Sequence, residues 1–286
     1  AKRLQVPDDF FQLSQAISFQ YYNLQNYYTG LFTFGDGESN NLAYTVNLTR
    51  NNTRINPIFP TGGSTFSINA KFTPPYSLFS GKDYSNLASL EEFQDENGNP
   101  LTEIIDQERF RWLEFYKIKF NGTWYAPVYE KLTLKTQVDF GFIGAYNLSR
   151  GNIPFERFFL GGDGMVSYAL DGRETIALRG YPNQSLSSRD GSNIYNKFSL
   201  ELRYPITLKP SASIYALTFL EAGNGYNSFR EFNPFSSKRS AGAGVRIFMP
   251  AFGLLGIDFA YGFDNVNSNL TTPNGWETHF VIGQRF

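Results

Sequence analysis

"KFSLELRYPI", residues 197–206, decides the fold, because apolar and polar side chains alternate along it without a break. Every second residue from Phe198 onward is apolar or aromatic, while Glu201 and Arg203 fall between them. Successive side chains of an extended chain point to opposite faces. The segment therefore predicts a β-strand with one apolar face and one charged face.

The same period of two recurs along the whole chain. It predicts about ten strands, joined alternately by brief turns and by long polar connections, as in an antiparallel meander whose long loops share one end. The long connections cover residues 28–40, 74–112, 147–196, 223–239 and 264–278. The other strand segments are 11–22, 41–49, 65–72, 116–128, 132–142, 212–223, 240–249, 254–263 and 279–286, of which "ASIYALTFLEAG" (212–223) alternates least clearly.

Composition excludes several functional classes. The net charge is -1, which argues against a nucleic-acid partner. There is no Cys and one His, His279, so we expect no disulfide and no metal site built on thiolates or several His. With one His near the terminus and no nucleophile elbow, a hydrolase triad is also improbable.

The aromatic content points to a membrane. Aromatic residues make up 17% of the chain, with 29 Phe and 18 Tyr, yet the mean hydropathy is only -0.33. Charges such as Lys117, Asp139 and Glu201 lie on one strand face and aromatics on the other. A transmembrane β-barrel accommodates both faces, with aromatics toward lipid and charges toward a wet lumen. A soluble sandwich or lipocalin-like barrel is the alternative.

One loop segment stands apart from this pattern. "TIALRGYPNQ", residues 175–184, places Arg179 between an apolar patch and the turn formers Gly180 and Pro182. A guanidinium has planar donors that can bridge two carboxylates and a flat face that stacks on an aromatic ring. A solvated loop cation is the plainer interpretation of Arg179.

From about residue 150 onward the chain resembles the BamA family, the central subunit of the outer-membrane β-barrel assembly machine. The motif Leu178, Arg179, Gly180 and Tyr181 is similar to the Val-Arg-Gly-Phe/Tyr motif of that family, with Leu178 in the place of Val. The other similar segments are "PFERFFLGGDG" (154–164), "SLELRYPI" (199–206), "TFLEAGNGY" (218–226), "SAGAGVRIFMPAFGLLGIDFAYGF" (240–263) and the ending "FVIGQRF" (280–286).

The resemblance implies a partial barrel. We expect residues 1–286 to form a single C-terminal β-barrel domain holding about the last ten of roughly sixteen antiparallel strands. The POTRA domains and the first strands would lie outside this chain.

The resemblance also implies a set of site residues. In the family a long external loop folds into the lumen, so Arg179 is expected to meet Glu201 and Glu221 near Phe219 on the barrel wall. The ending resembles the C-terminal β-signal of outer-membrane proteins, which is also expected to border the seam of the barrel. Its residues here are Phe280, Ile282, Gly283 and Phe286.

The implied function is the folding and insertion of β-barrel proteins into the bacterial outer membrane by strand pairing at a lateral seam. It implies a protein that is not an enzyme and has no cofactor and no metal site. The expected partners are unfolded outer-membrane proteins, outer-membrane lipids, accessory lipoproteins and the N-terminal part of the same protein. The alternatives are a related two-partner-secretion or TamA-type translocation barrel, and a passive porin.

Overall fold

A computed structural model of the chain describes residues 1–6, 8–27, 32–53, 56–151, 153–164, 173–266 and 271–283. Within these ranges, eleven strands form one large sheet and two form a small one. The large sheet contains β1 (Lys2–Arg3), β2 (Phe11–Leu24), β3 (Gly37–Asn51), β4 (Gly63–Phe72), β5 (Tyr116–Tyr129), β6 (Leu132–Gly144), β9 (Ile194–Lys209), β10 (Ala212–Tyr226), β11 (Lys238–Met249), β12 (Gly253–Gly262) and β13 (Gly275–Ile282), and the small one β7 (Phe158–Leu160) and β8 (Glu174–Ile176).

The large sheet is the predicted meander. Its strands pair antiparallel in chain order, and β6 pairs directly with β9 because β7 and β8 belong to the connection between them. In the large sheet, ten long strands overlap the ten predicted segments, and the two-residue β1 is the only addition there among the described residues. Strands β3 and β13 begin earlier than predicted, at Gly37 and Gly275, inside the connections predicted at 28–40 and 264–278. In the same part of the chain β13 pairs only with β12, so the sheet is an open, curved barrel wall.

The two faces of the wall divide as the alternation predicts. On β9, the outward side chains of Phe198, Leu200 and Tyr204 are 40%, 40% and 48% exposed. Glu201 and Arg203, on the other face, are buried. Cross-strand neighbours repeat this division, so the buried row of one strand continues on the next. A transmembrane barrel has this arrangement, with its apolar band outside and polar groups inside.

The weak alternation of apolar and polar residues along β10 has a structural cause. Its inward residues Tyr215, Leu217 and Phe219 are apolar and buried, and they pack with Phe59. Phe59 comes from the connection 52–62, which lies at the end of the wall where the turns are otherwise brief. Both faces of β10 are therefore largely apolar, because one faces outward and the other receives this aromatic side chain.

The long connections carry short elements of their own. The connection between β4 and β5 holds helices α1 (Tyr76–Ser80) and α2 (Thr102–Phe110), whose surroundings bury Tyr84, Leu87 and Phe93. No helix in the described ranges is long and apolar enough to cross a membrane. "DENGNP" (95–100) forms a tight turn in which the backbone N–H groups of Asn97 and Asn99 donate to Asp95.

The loss of stability caused by a cation on the outward face should depend on its depth in the bilayer. Leu200→Arg, in the middle of β9, should lower the free energy of unfolding by about 2–4 kcal/mol, because a cation would face the bilayer midplane. Ile247→Arg, on the outward face of β11 near the end of that strand, should cost only about 0–1 kcal/mol. Urea titration of liposome-reconstituted protein, followed by heat-modifiable gel mobility, measures both. Equal losses would contradict the membrane-facing assignment.

Candidate functional site

The described residues of the connection between β6 and β9, 145–151, 153–164 and 173–193, fold back onto the concave face of the wall. Its small parallel sheet, β7 with β8, places Phe158 and Leu160 in the main apolar cluster. Leu178 and Tyr181 join that cluster and are fully buried. This apolar packing fixes the two residues that flank Arg179 and Gly180.

Arg179 makes ion pairs with three strands of the wall. Its Nη2 lies 2.9 Å from Glu201 Oε1 on β9 and 2.7 Å from Glu221 Oε1 on β10. Its Nη1 lies 3.3 Å from Asp258 Oδ2 on β12, and its backbone N–H donates to Glu221 Oε2 at 2.9 Å. One loop side chain thus joins strands that are far apart in sequence.

The guanidinium plane also lies over an aromatic ring. The Arg179 Cζ is 3.5 Å from the centroid of Phe219, which lies on the lumen face of β10 two residues before Glu221. Phe59 packs in the same cluster as Phe219, and its ring is 5.3 Å from that of Tyr215. Lys lacks the planar fork and could not bridge the carboxylates while stacking on the ring.

The three carboxylates have further cationic partners on the wall. Asp258 accepts two hydrogen bonds of 2.6 Å from Arg246, a bidentate pair. Glu201 accepts from Arg203 at 2.5 Å, and Glu221 lies 3.2 Å from Lys197 Nζ. Buried charges are tolerated when they are paired and hydrogen-bonded, and here each carboxylate meets at least two cations.

The loop cation stays charged in this setting. Burial on its own would lower the pKa of Arg179, but the carboxylates of Glu221 and Glu201 outweigh it and raise that pKa above its ordinary value. The interaction is therefore a permanent ionic contact rather than a titrating one.

Gly180 brings the loop to the last strands. Its φ is +86°, and an added Cβ would lie 2.8 Å from Ser240 Cβ and 3.1 Å from the Gly262 nitrogen. Both the backbone conformation and the close approach thus require glycine. The Gly180 N–H donates to His279 Nε2 on β13 at 2.8 Å.

Tyr181 and Asn274 complete the contact with the wall. The Tyr181 hydroxyl donates to the Arg239 carbonyl at 2.6 Å, and Asn274 Nδ2 donates to the Gly180 carbonyl at 2.9 Å. Burial raises the pKa of Tyr181 to about 12, so its hydroxyl remains a donor. The four residues of the Leu-Arg-Gly-Tyr motif therefore all contact other elements.

A second ionic attachment holds the other side of the loop. Glu156 lies 2.5 Å from Lys71 Nζ on β4 and 3.3 Å from Lys117 Nζ on β5. Glu174 pairs with Lys117 at 2.6 Å and with Lys119 at 2.8 Å. Burial alone would raise the pKa of Glu156, but Lys117 and Lys71 lower it overall. The loop is thus joined by charge to both sides of the curved wall.

The structure brings Arg179 together with Glu201, Phe219 and Glu221, the contact that the resemblance implied. The residues of the C-terminal segment lie elsewhere. Phe280 and Ile282 point outward and are 53% and 66% exposed, and Gly283 follows the last strand with a φ of +97°. Phe286 lies outside the described residues.

Sequence reasoning missed Asp258, Arg246, His279 and the Glu156 contacts. Asp258 carried a signal, because it interrupts the apolar segment "LLGIDFAYGF" in the register of the lumen face. His279 lies opposite Asp258 across β12 and β13, also on that face. Glu156 carried none, since a loop residue has no strand register from which its partners could be deduced.

Removing the loop cation should free the loop. Arg179→Ala leaves Glu201, Glu221 and Asp258 without one of their partners, and loss of one member of a buried charge cluster costs about 3–5 kcal/mol. We expect residues 145–193 to become sensitive to added protease. The control is Arg239→Ala, an exposed ion pair with Asp264 at the rim, whose protease pattern should match wild type. Unchanged protection of the loop in Arg179→Ala would refute the prediction.

The His279 contact can be tested separately. His279→Leu removes the acceptor for the Gly180 N–H, a neutral hydrogen bond worth about 1 kcal/mol. Amide hydrogen exchange at Gly180 should quicken several-fold, whereas His279→Gln, which retains a side-chain acceptor, should change it less. Equal exchange in the Leu and Gln variants would show that the hydrogen bond does not hold the loop.

Comparisons with known proteins agree with this geometry. The model of the Omp85 superfamily domain matches residues 8–286. The fold is similar to a crystal structure of BamA from Haemophilus ducreyi lacking POTRA domains 1–3, with a TM-score of 0.60 and 17% identity over 96% of this chain and 51% of that one. It is also similar to CdiB from Escherichia coli, with a TM-score of 0.50 and 14% identity over 96% of this chain and 42% of that one.

At such low identities the two solved structures show the fold alone, and this chain spans about half of the BamA chain and less of the CdiB chain. No curated protein matches at a significant level. The family match and the BamA neighbour point to an outer-membrane β-barrel. Because the family model matches nearly the whole chain, the protein belongs to the Omp85 superfamily.

Proposed function

We propose that this protein folds and inserts β-barrel proteins into the bacterial outer membrane. A substrate strand would pair by its backbone with an edge strand of the barrel, so that its N–H and C=O groups are never unpaired in lipid. No covalent chemistry or cofactor is needed for such a step. The observation that carries the proposal is the loop held in the lumen by Arg179, together with membership in the superfamily.

The last strand supports a seam at β13. Within the described residues, β13 has eight residues, all paired with β12, whereas β9 has sixteen. Gly283 follows β13 and donates its N–H to the Leu254 carbonyl, but its φ of +97° is not that of an extended strand. We infer that glycine at this position makes the edge weaker than the rest of the wall. This is the edge at which we place substrate pairing.

The filled lumen argues against a passive porin. The loop occupies the concave side of the wall, and the cavity that remains beside it is about 600 Å³ and bordered by Lys135, Asp139, Arg203 and other charged residues. A diffusion pore would need a continuous aqueous path past these side chains. The ion pairs of Arg179 and Glu156 hold the loop across that path.

A second candidate lies within the same superfamily. A two-partner-secretion or TamA-type translocation barrel would use the same wall, and the family model covers the superfamily rather than one member. In that case the passenger would cross the lumen, and the loop would have to leave it. The accessory lipoproteins and the N-terminal part of the protein expected for an assembly machine would then be replaced by other partners.

Photo-crosslinking separates these functions. A photoreactive amino acid in place of Phe280, placed in the full-length protein in cells, should crosslink to unfolded outer-membrane β-barrel proteins during their synthesis. The matched control is the same substitution at Leu200, which is lipid-facing in the middle of the wall and should give no substrate adduct.

The identity of the crosslinked protein distinguishes insertion from translocation. Adducts at Phe280 with β-barrel proteins support insertion at the seam, whereas adducts with a secreted passenger at lumen positions such as Ser199 support translocation. A large, steady conductance of the purified protein in planar bilayers would favour a porin and contradict both.

A further inference from the structure

The connection between β10 and β11, residues 227–237, lies on the outside of the wall and not over the lumen. We call it the outer-wall loop. Phe140 of β6 is opposite Asn196 of β9, and Asn196 is opposite Asn224 of β10, so these three side chains form one row on the outward face. Asn196 is nonetheless only 1% exposed. Another part of the protein must therefore cover this row. The hydrogen bonds and ring contacts of the row show that the outer-wall loop covers it.

Hydrogen bonds join this row to the loop. Asn196 Nδ2 donates to Ser237 Oγ at 3.1 Å, and Asn224 Nδ2 donates to the Ser236 carbonyl at 3.1 Å. The hydroxyl of Tyr226, in the next outward row, donates to the Asn233 carbonyl at 2.6 Å. The loop is therefore fixed against the outside of the wall at several points.

Aromatic packing continues the attachment. Phe229 lies edge-on to Phe142 with ring centroids 5.3 Å apart, and Phe232 lies edge-on to Phe140 at 5.6 Å. Phe140 and Phe142 are outward residues of β6, so the loop extends the apolar face of the wall at its long-loop end. Two of its own aromatics remain uncovered, since Phe229 is 58% and Phe235 95% exposed.

The surface just below the loop is apolar. A groove of about 580 Å³ lies there on the outer face, lined by Val138, Phe198, Leu200, Leu220, Ala222 and Phe263 among others. Val138, Phe198 and Ala222 form the row adjacent to the one that the loop covers. The exposed Phe side chains are thus continuous with the surface that faces acyl chains.

Several polar groups next to the exposed aromatics are paired within the loop, whereas the charged side chains of Arg230 and Glu231 are exposed and can remain at the headgroup level. The Ser237 hydroxyl donates to the Pro234 carbonyl at 2.9 Å, and the Phe235 N–H donates to Asn233 Oδ1 at 3.0 Å. The N–H groups of Glu231 and Phe232 donate to carbonyls within the loop. Paired backbone groups lower the cost of leaving water.

We propose that the outer-wall loop is a membrane-interface anchor, with Phe229 and Phe235 inserted between the lipids that surround the long-loop rim. The lipid bilayer is the occupant of this surface. Aromatic side chains at the boundary of headgroups and acyl chains hold membrane proteins at a fixed depth. The loop therefore sets the height of β9 and β10, which carry Glu201 and Glu221, relative to the bilayer.

These 286 residues contain no Cys, so a single label can be placed in them. In the full-length protein, with any Cys outside this chain replaced by Ser, Ser236→Cys is labelled with bimane and reconstituted into phosphatidylethanolamine and phosphatidylglycerol vesicles containing phosphatidylcholine with a nitroxide near its headgroup. We expect lipid quenching about twofold stronger than for bimane at Asn97→Cys, an exposed polar turn, because the loop lies in the interface. Aqueous iodide should quench the Asn97 probe more strongly.

A second comparison tests whether Phe229 and Phe235 hold the loop in the interface. Adding Phe229→Ser and Phe235→Ser to the Ser236→Cys protein should bring lipid quenching down to the Asn97 level, whereas Phe252→Ser at the opposite rim should leave it unchanged. Strong iodide quenching of the Ser236 probe in the otherwise unchanged protein would show a solvated loop and overturn the proposal. Protection from both quenchers would show that protein, not lipid, covers the loop, and would overturn it as well.

Discussion

A strand that crosses a membrane can offer only apolar side chains to lipid, so its charges must lie in the lumen and find partners there. That constraint explains why Lys197, Glu201 and Arg203 lie on one face of β9 and Phe198 and Leu200 on the other. It also creates a charged inner surface that something must neutralise. The loop between β6 and β9 does so with Arg179 on one side and Glu156 on the other.

The loop and the wall therefore depend on each other. Arg179 could not be buried without Glu201, Glu221 and Asp258, since an unpaired guanidinium in a low-dielectric site is costly. Gly180 then allows the approach that brings the loop backbone to His279 on the last strand. The position of the loop is in this way tied to the edge at which we place substrate pairing. The outer-wall loop contacts β9 and β10, which also carry Glu201 and Glu221, from the outer side of the wall.

Much of the wall could be predicted from local pattern. "KFSLELRYPI" and nine similar segments correspond to the ten long strands, because a period of two needs no knowledge of neighbours. "ASIYALTFLEAG" was unclear for a physical reason. Its inward residues Tyr215, Leu217 and Phe219 are apolar because Phe59 reaches them from the connection 52–62. No local pattern contains that contact, since it depends on the curvature of the whole sheet.

The sequence by itself determined the strands, which face of each meets lipid, and the family motif that includes Arg179. Only the tertiary structure decided the complete set of contacts that Arg179 and its loop make. Its contact with Asp258, the hydrogen bond from Gly180 to His279 and the pairing of Glu156 with Lys71 join residues 79, 99 and 85 positions apart. Side-chain alternation is a local property of an extended chain, whereas ionic partners across a lumen depend on how the sheet curves and where a loop enters it.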